Sequence, residues 1–130
     1  MKDHKKAKEW FLRAQSNFAL AKLGNGNDFI LYEDLCFDLQ QAAEKSLKAV
    51  CILNGIIFPK THDIAYLISL LEKGGIAVPE EINDSKILTD YAVETRYPAE
   101  FEPITEVEYL KALELTKNVM EWVKVLLNQL

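Results

Sequence analysis

The sequence predicts an all-α protein, a five-helix up-and-down bundle. Two observations carry that expectation. Apolar residues recur at steps of three and four through most of the chain, the spacing of one helix face. Each such stretch is closed by a glycine, asparagine or proline signal, and none reads as a credible strand. With 130 residues, the whole chain, 1–130, is expected to form one domain.

The first helix runs from Lys5 to Leu23, with Ala7, Trp10, Phe11, Ala14, Phe18 and Ala21 on its apolar face. Gly24, Asn25, Gly26 and Asn27 stop it. A second helix extends from about Leu31 to Asn54, with Leu35, Leu39, Ala43, Leu47 and Val50 as its buried stripe and Gly55 beyond its end. Ile56, Ile57 and Phe58 form an apolar connector into Pro59, and a residue before proline avoids helical geometry. The third helix begins near Thr61, His62 and Asp63, where Thr61 or Asp63 can accept a bond from a free N–H of the first turn. Its face is Ile64, Leu67, Ile68 and Leu71, and Gly74 and Gly75 end it. Pro79 suits the first position of a fourth helix, and Glu80 and Glu81 suit its positive end. Ile82, Lys86, Ile87 and Tyr91 carry that helix to about Glu94; Arg96, Tyr97 and Pro98 break it. An irregular stretch then reaches Pro103. Thr105 and Glu108 form a capping box for the last helix, whose apolar set includes Leu110, Leu113, Val119, Trp122, Val123, Leu126 and Leu130.

Composition narrows the function classes. Apolar residues make up 49%, enough for a core and too many for a disordered chain. Lys and Arg number 15 against 20 Asp and Glu, a net charge of −5, which argues against a broad non-specific DNA binder. No apolar run approaches the roughly 20 residues of a membrane span, and the charged N-terminus lacks a signal-peptide stretch. Cys36 and Cys51 both fall in helical pattern and read as reduced core thiols in a cytoplasm.

The chain lacks a phosphate loop, a Rossmann fingerprint, a paired-histidine zinc helix and a paired-cysteine motif, so no cofactor or metal is expected. Its most informative feature is polar. Asp34, Asp38, Gln41, Lys45 and Lys48 step by four and three along the second helix and line one stripe, which a solvated face would also produce. Gln40 and Glu44 lie one turn apart, and Ala42, Ala43 and Ala49 permit close helix approach. An imidazole beside a carboxylate, His62 and Asp63, can bind phosphate or move a proton; equally, Asp63 is a cap and His62 packs on the connector. Arg96 can clamp phosphate or pair with surrounding acids. Glu80 to Glu108 holds nine acids against Lys86 and Arg96, whereas Gln41 to Lys60 holds three lysines against Glu44, so the basic region lies near the second helix and the Thr-His-Asp turn.

Three runs together resemble the HEPN domain family: Cys36-Phe37…Gln40-Gln41-Ala42-Ala43-Glu44-Lys45…Leu47-Lys48-Ala49; Gly55…Phe58-Pro59…Thr61-His62-Asp63; and Tyr91…Arg96-Tyr97-Pro98. The resemblance spans nearly the whole chain. It implies a cytoplasmic prokaryotic protein, a homodimeric helical bundle, and a nucleotidyltransferase partner in a toxin–antitoxin-like pair. Nucleotide binding is implied by related domains. In the ribonuclease branch of the family an arginine is followed after four to six residues by a histidine. Arg96 matches the arginine, but residues 97 to 103 hold no histidine and none follows His62. Metal-independent RNA cleavage needs both a base and an acid. The expectation is therefore a non-catalytic protein that binds a nucleotide or other phosphate-bearing ligand, or a partner, and no catalytic residue is assigned. Gln41, Lys45, Lys48, His62, Asp63, Arg96 and Tyr97 are the candidate ligand-binding residues; a bundle folded as the family is brings them to one groove, and the alternative is that they point to separate solvated faces. The rival readings are a ribonuclease toxin using Arg96 and His62, and a purely structural interaction module.

Overall fold

In the computed structural model, which describes residues 1–92 and 102–128, five α-helices follow one another: α1 (His4–Leu23), α2 (Tyr32–Leu53), α3 (Ile64–Lys73), α4 (Glu80–Asn83) and α5 (Glu106–Asn128). A 3₁₀ segment, Asp84–Ala92, continues α4. The described residues contain no strand, as the periodicity predicts.

α2 is the axis of the molecule. A helix that faces solvent buries one stripe, but α2 buries residues around most of its circumference, from Leu35 and Cys36 to Cys51 and Leu53. The other elements enclose it: α1 makes the most extensive contact, α5 the next, and α3 and the 3₁₀ segment cover the remainder. Ala7, Ala14 and Ala21 on α1 and Ala42, Ala43 and Ala49 on α2 have no exposed surface. Side chains this small let the two backbones draw together.

Local chemistry sets the helix ends. The Asp3 carboxylate accepts from Lys6 N–H at 2.9 Å and caps α1. Asp63 does the same for α3 by accepting from Tyr66 N–H at 3.2 Å. After α2 the chain turns through Gly55 at φ +72°, where a Cβ would also come within 3.2 Å of the Met1 backbone. Glycine alone suits that position. At α5 only half of the anticipated capping box forms: Thr105 Oγ1 accepts from Glu108 N–H at 3.2 Å. The Glu108 carboxylate instead accepts from the Tyr91 hydroxyl, tying the 3₁₀ segment to α5.

The fourth helix departs from expectation. Only one turn is α-helical, and the buried positions are Ile82, Ser85, Leu88 and Tyr91, with Lys86 and Ile87 turned outward. Those four residues are spaced by three, which matches the 3.0 residues per turn of a 3₁₀ helix and not the 3.6 of an α-helix. Ser85 Oγ also donates back to the Ile82 carbonyl at 2.6 Å, the kind of local bond that competes with α-helical pairing. The break expected at Arg96, Tyr97 and Pro98 lies outside the described residues.

The buried apolar side chains of all these elements form one cluster. Among the described residues, no helix is long and apolar enough to cross a membrane. Both cysteines are fully buried, and burial pushes the Cys51 thiol up to about 11. Thiolate is the reactive form, so neither cysteine should react with a disulfide reagent at pH 8 until the protein opens. Counting thiols with and without denaturant checks this: two are expected in denaturant and none in the native protein, and rapid native labelling of either contradicts the fold.

Candidate functional site

A line of three polar residues runs down the buried side of α2. Gln40, Glu44 and Lys48 fall at successive steps of four, so one helix edge carries all three. They are 0%, 3% and 7% exposed. Burying a charge is expensive unless every lone pair and proton is used, and here the Glu44 carboxylate uses both oxygens. Oε2 accepts from Lys48 Nζ at 2.8 Å. Oε1 accepts from Gln40 Nε2 at 3.0 Å and from His62 Nδ1 at 2.7 Å.

His62 arrives from the connector that precedes α3. Gln40 Nε2 also donates to the His62 backbone carbonyl at 3.2 Å, so the residue is held by both its main chain and its ring. Gln41 Nε2 donates in turn to Gln40 Oε1 at 2.7 Å. Burial pushes the Glu44 carboxyl up, but the bonds from Lys48, Gln40 and His62 outweigh it and hold the group below its usual range. An ionised carboxylate is an acceptor only. His62 Nδ1 is therefore the donor, and in the neutral ring Nε2 keeps its lone pair. The His62 side chain is 64% exposed. The result is an oriented imidazole at the surface, backed by a buried carboxylate.

Behind this cluster, the Lys48 ammonium lies 5.8 Å from the Trp10 ring centroid and 5.6 Å from that of Phe58. Two aromatic faces and one carboxylate thus replace the water a lysine normally keeps.

The residues expected to bind a ligand separate into groups. Lys48 and His62 meet at Glu44, and Gln41 joins them through Gln40. Lys45 turns away: its Nζ donates to Asn17 Oδ1 at 2.8 Å, and Asn17 Nδ2 donates to Asp38 Oδ1 at 3.0 Å. That chain sews α2 to α1, and burial raises the Asp38 carboxyl above its usual range despite its bond from Asn17 and the charge of Lys45. The five-residue polar stripe is thus not one solvated face: Asp34 is exposed, Asp38, Gln41 and Lys45 are half-buried, and Lys48 is buried. Asp63 is a cap, and the amides around it are occupied: Asp63 N–H donates to Thr61 Oγ1, Ile64 N–H to Thr89 Oγ1 and Tyr66 N–H to Asp63. Arg96 and Tyr97 lie outside the described residues. Glu44 and Gln40, not chosen as site residues from sequence, hold the arrangement together; their spacing with Lys48 was the available signal. Among the described residues, no group of three His, Cys, Asp or Glu could hold a metal ion.

The described residues thus form an all-α helical bundle. The HEPN domain model matches residues 7–126, and the chain belongs to that family. An archaeal HEPN homologue of known crystal structure shares the fold, with a TM-score of 0.74 and 24% identity over 94% of this chain and 98% of its own. Comparison with curated proteins gives no match.

Removing one partner from such a buried pair strands the other. Glu44→Ala should cost about 3–5 kcal/mol in urea unfolding, because Lys48 keeps its charge without its partner. Replacing both, Glu44→Leu with Lys48→Met, should cost clearly less than Glu44→Ala; an equal or larger loss contradicts the electrostatic origin. The acid limb follows from the lowered Glu44 carboxyl. Its stabilising contribution is complete above the unfolded-state range and fades as pH falls through the lower folded value. Glu44→Gln should therefore flatten the loss of stability on acidification, and an unchanged acid slope contradicts this.

Proposed function

We propose that this HEPN protein is a cytoplasmic prokaryotic homodimer that acts by binding and not by catalysis. It takes a nucleotide or another phosphate-bearing ligand at the His62 edge of α2, and it works beside a nucleotidyltransferase in a toxin–antitoxin-like pair. The Glu44-held imidazole carries the ligand reading. The ring is exposed yet fixed by two bonds, one to its Nδ1 and one to its carbonyl, so a ligand need not order it, and that lowers the cost of binding. When protonated, it offers Nε2–H to a phosphate oxygen in a charge-assisted bond. Gln41 supports the ring through Gln40, and Lys48 neutralises Glu44. Arg96 and Tyr97 enter this reading from the family resemblance, as a guanidinium fork and a stacking ring. The homodimer and the nucleotidyltransferase partner likewise rest on membership of the family.

One observation favours a second reading, the ribonuclease toxin. A buried carboxylate that fixes Nδ1–H gives His62 the tautomer of a general base. Only two histidines exist in the chain. The other, His4, has its Nε2 bonded to the Leu127 carbonyl at 3.0 Å and so supplies no acid partner.

Three outcomes are expected. Nucleotides should raise the thermal midpoint, by an amount corresponding to about 2.7 kcal/mol at a hundredfold excess over Kd, and His62→Ala should remove most of that shift while the free protein still melts cooperatively. A nucleotide screen with no shift contradicts the binding reading. Light scattering should return about twice the mass of one chain, and a monomer at micromolar concentration removes the homodimer. Single-stranded RNA should remain intact with purified protein; turnover lost in both His62→Ala and Arg96→Ala promotes the ribonuclease.

A further inference from the structure

α1 buries one edge and leaves the opposite edge bare. Ala7, Ala14 and Ala21 recur at steps of seven on the buried edge and have no exposed surface. Across the helix from them, Leu12, Ser16, Ala19 and Leu23 step by four, three and four, the spacing of a seam that packs on another helix. All four are exposed. Leu12 is 67% exposed and Leu23 79%, and Leu20 beside them is 53% exposed. Six of the thirteen large apolar side chains exposed among the described residues fall between Leu12 and Leu31. The exposed apolar surface is thus concentrated on one stretch and is not the single scattered residues that any protein shows. Packing inside the bundle accounts for the alanine edge and leaves this second stripe without a purpose.

The borders of the stripe are basic. The positions that flank such a seam are Lys6, Lys8, Arg13, Gln15, Leu20 and Lys22, which give four exposed cations and no acid. Glu9, on the stripe one turn before Leu12, is the single acidic residue of α1. None of the four cations is in a salt bridge among the described residues; Lys22 lies over the Phe18 ring at 4.9 Å. The adjoining helices do not cancel this charge. α5 brings Lys117, Glu121 and Lys124 beside Gln15, two cations against one acid. On the other side Asp38 and Lys45 of α2 offset each other at Asn17. A chain of net charge −5 therefore carries its exposed apolar stripe on a basic helix.

That pattern selects the occupant. A second copy laid along the stripe, in either direction, brings four more cations and one acid to a contact already short of acids, and like charges across a contact are costly. We infer that the outer stripe of α1 is a docking surface for an amphipathic helix of a different protein. That helix presents leucine-type side chains to Leu12 and Leu23, and glutamates or aspartates to Lys8, Arg13 and Lys22. Ser16 and Ala19 are small, so the two helices can approach closely at the centre. The apolar seam holds the pair together, and the flanking charges set which partner is accepted. None of the residues around His62 takes part, so the inference stands apart from the ligand reading.

The probe is a synthetic helical peptide of about four heptads, with leucine along its seam and glutamate on both flanks. A second peptide carries lysine in place of each glutamate. Both are labelled with a fluorophore and titrated with the full chain, and anisotropy reads the binding. The glutamate peptide should bind saturably and the lysine peptide about tenfold more weakly, a gap that raised salt should narrow. This comparison needs no variant. Leu12→Gln with Leu23→Gln should abolish binding of the glutamate peptide, and Arg13→Glu with Lys22→Glu should weaken it about tenfold. All four side chains are exposed, so both variants should melt with the parent protein. Equal binding of the two peptides overturns the inference. So does binding that neither variant moves, or no binding of the glutamate peptide through the millimolar range. Light scattering tests the other occupant: an unchanged mass in Leu12→Gln with Leu23→Gln supports a foreign helix, whereas a halved mass shows that a second copy covers the stripe and the inference fails.

Discussion

The Glu44 carboxylate is the constraint on which the centre of this protein depends. It is 3% exposed on a helix surrounded by other elements, and an isolated charge in that setting would unfold its surroundings or take up a proton. Three donors prevent this: Lys48 and Gln40 from α2 itself and His62 from the connector before α3. The consequences run outward. Lys48 is drawn inward and braces Trp10 and Phe58, which fixes the first turns of α1 against the end of α2. Gln40 grips the His62 carbonyl, which fixes the connector. The same carboxylate decides which nitrogen of His62 faces solvent. One buried charge thus organises both a packing corner and a surface group.

A second polar network, independent of the first, joins the helices on another side of α2. Lys45 and Asp38 share Asn17 of α1, while Tyr109 of α5 donates to the Ala21 carbonyl at 2.9 Å and Thr116 to that of Leu39 at 3.3 Å. Buried polar groups that are satisfied specify one arrangement of helices among the many that apolar packing alone would accept. In this bundle the alanine-rich contact of α1 with α2 supplies proximity, and these bonds supply register.

Much of the fold was legible in the sequence because its signals are local. The apolar periods of α1, α2, α3 and α5, and the caps at Asp63 and Thr105, depend on neighbours within a turn or two. The sequence reads the 3₁₀ segment as an α-helix because Ile82 with Lys86 and Ile87 with Tyr91 stand at α-helical steps of four; the buried Ser85 and Leu88, three residues from Ile82 and Tyr91 respectively, decide for the tighter period. The candidate site was only half legible. Lys48 was grouped with Gln41 and Lys45 by spacing, yet it is buried because a ring 18 positions along the chain from Glu44 completes that carboxylate's shell. No periodicity on α2 announces that His62 will arrive there. Trp10 and Phe58 carry ordinary core spacing, and only the fold shows Lys48 against them.

The central claim is that Glu44 fixes His62 with its proton on Nδ1. Long-range proton–nitrogen NMR on imidazole-labelled protein reads this directly. The neutral ring should show Nδ1 protonated and Nε2 bare, with the Nδ1 proton protected from exchange, and Glu44→Gln should abolish that preference in a still-folded protein. A neutral His62 that carries its proton on Nε2, or one indifferent to Glu44→Gln, would contradict it.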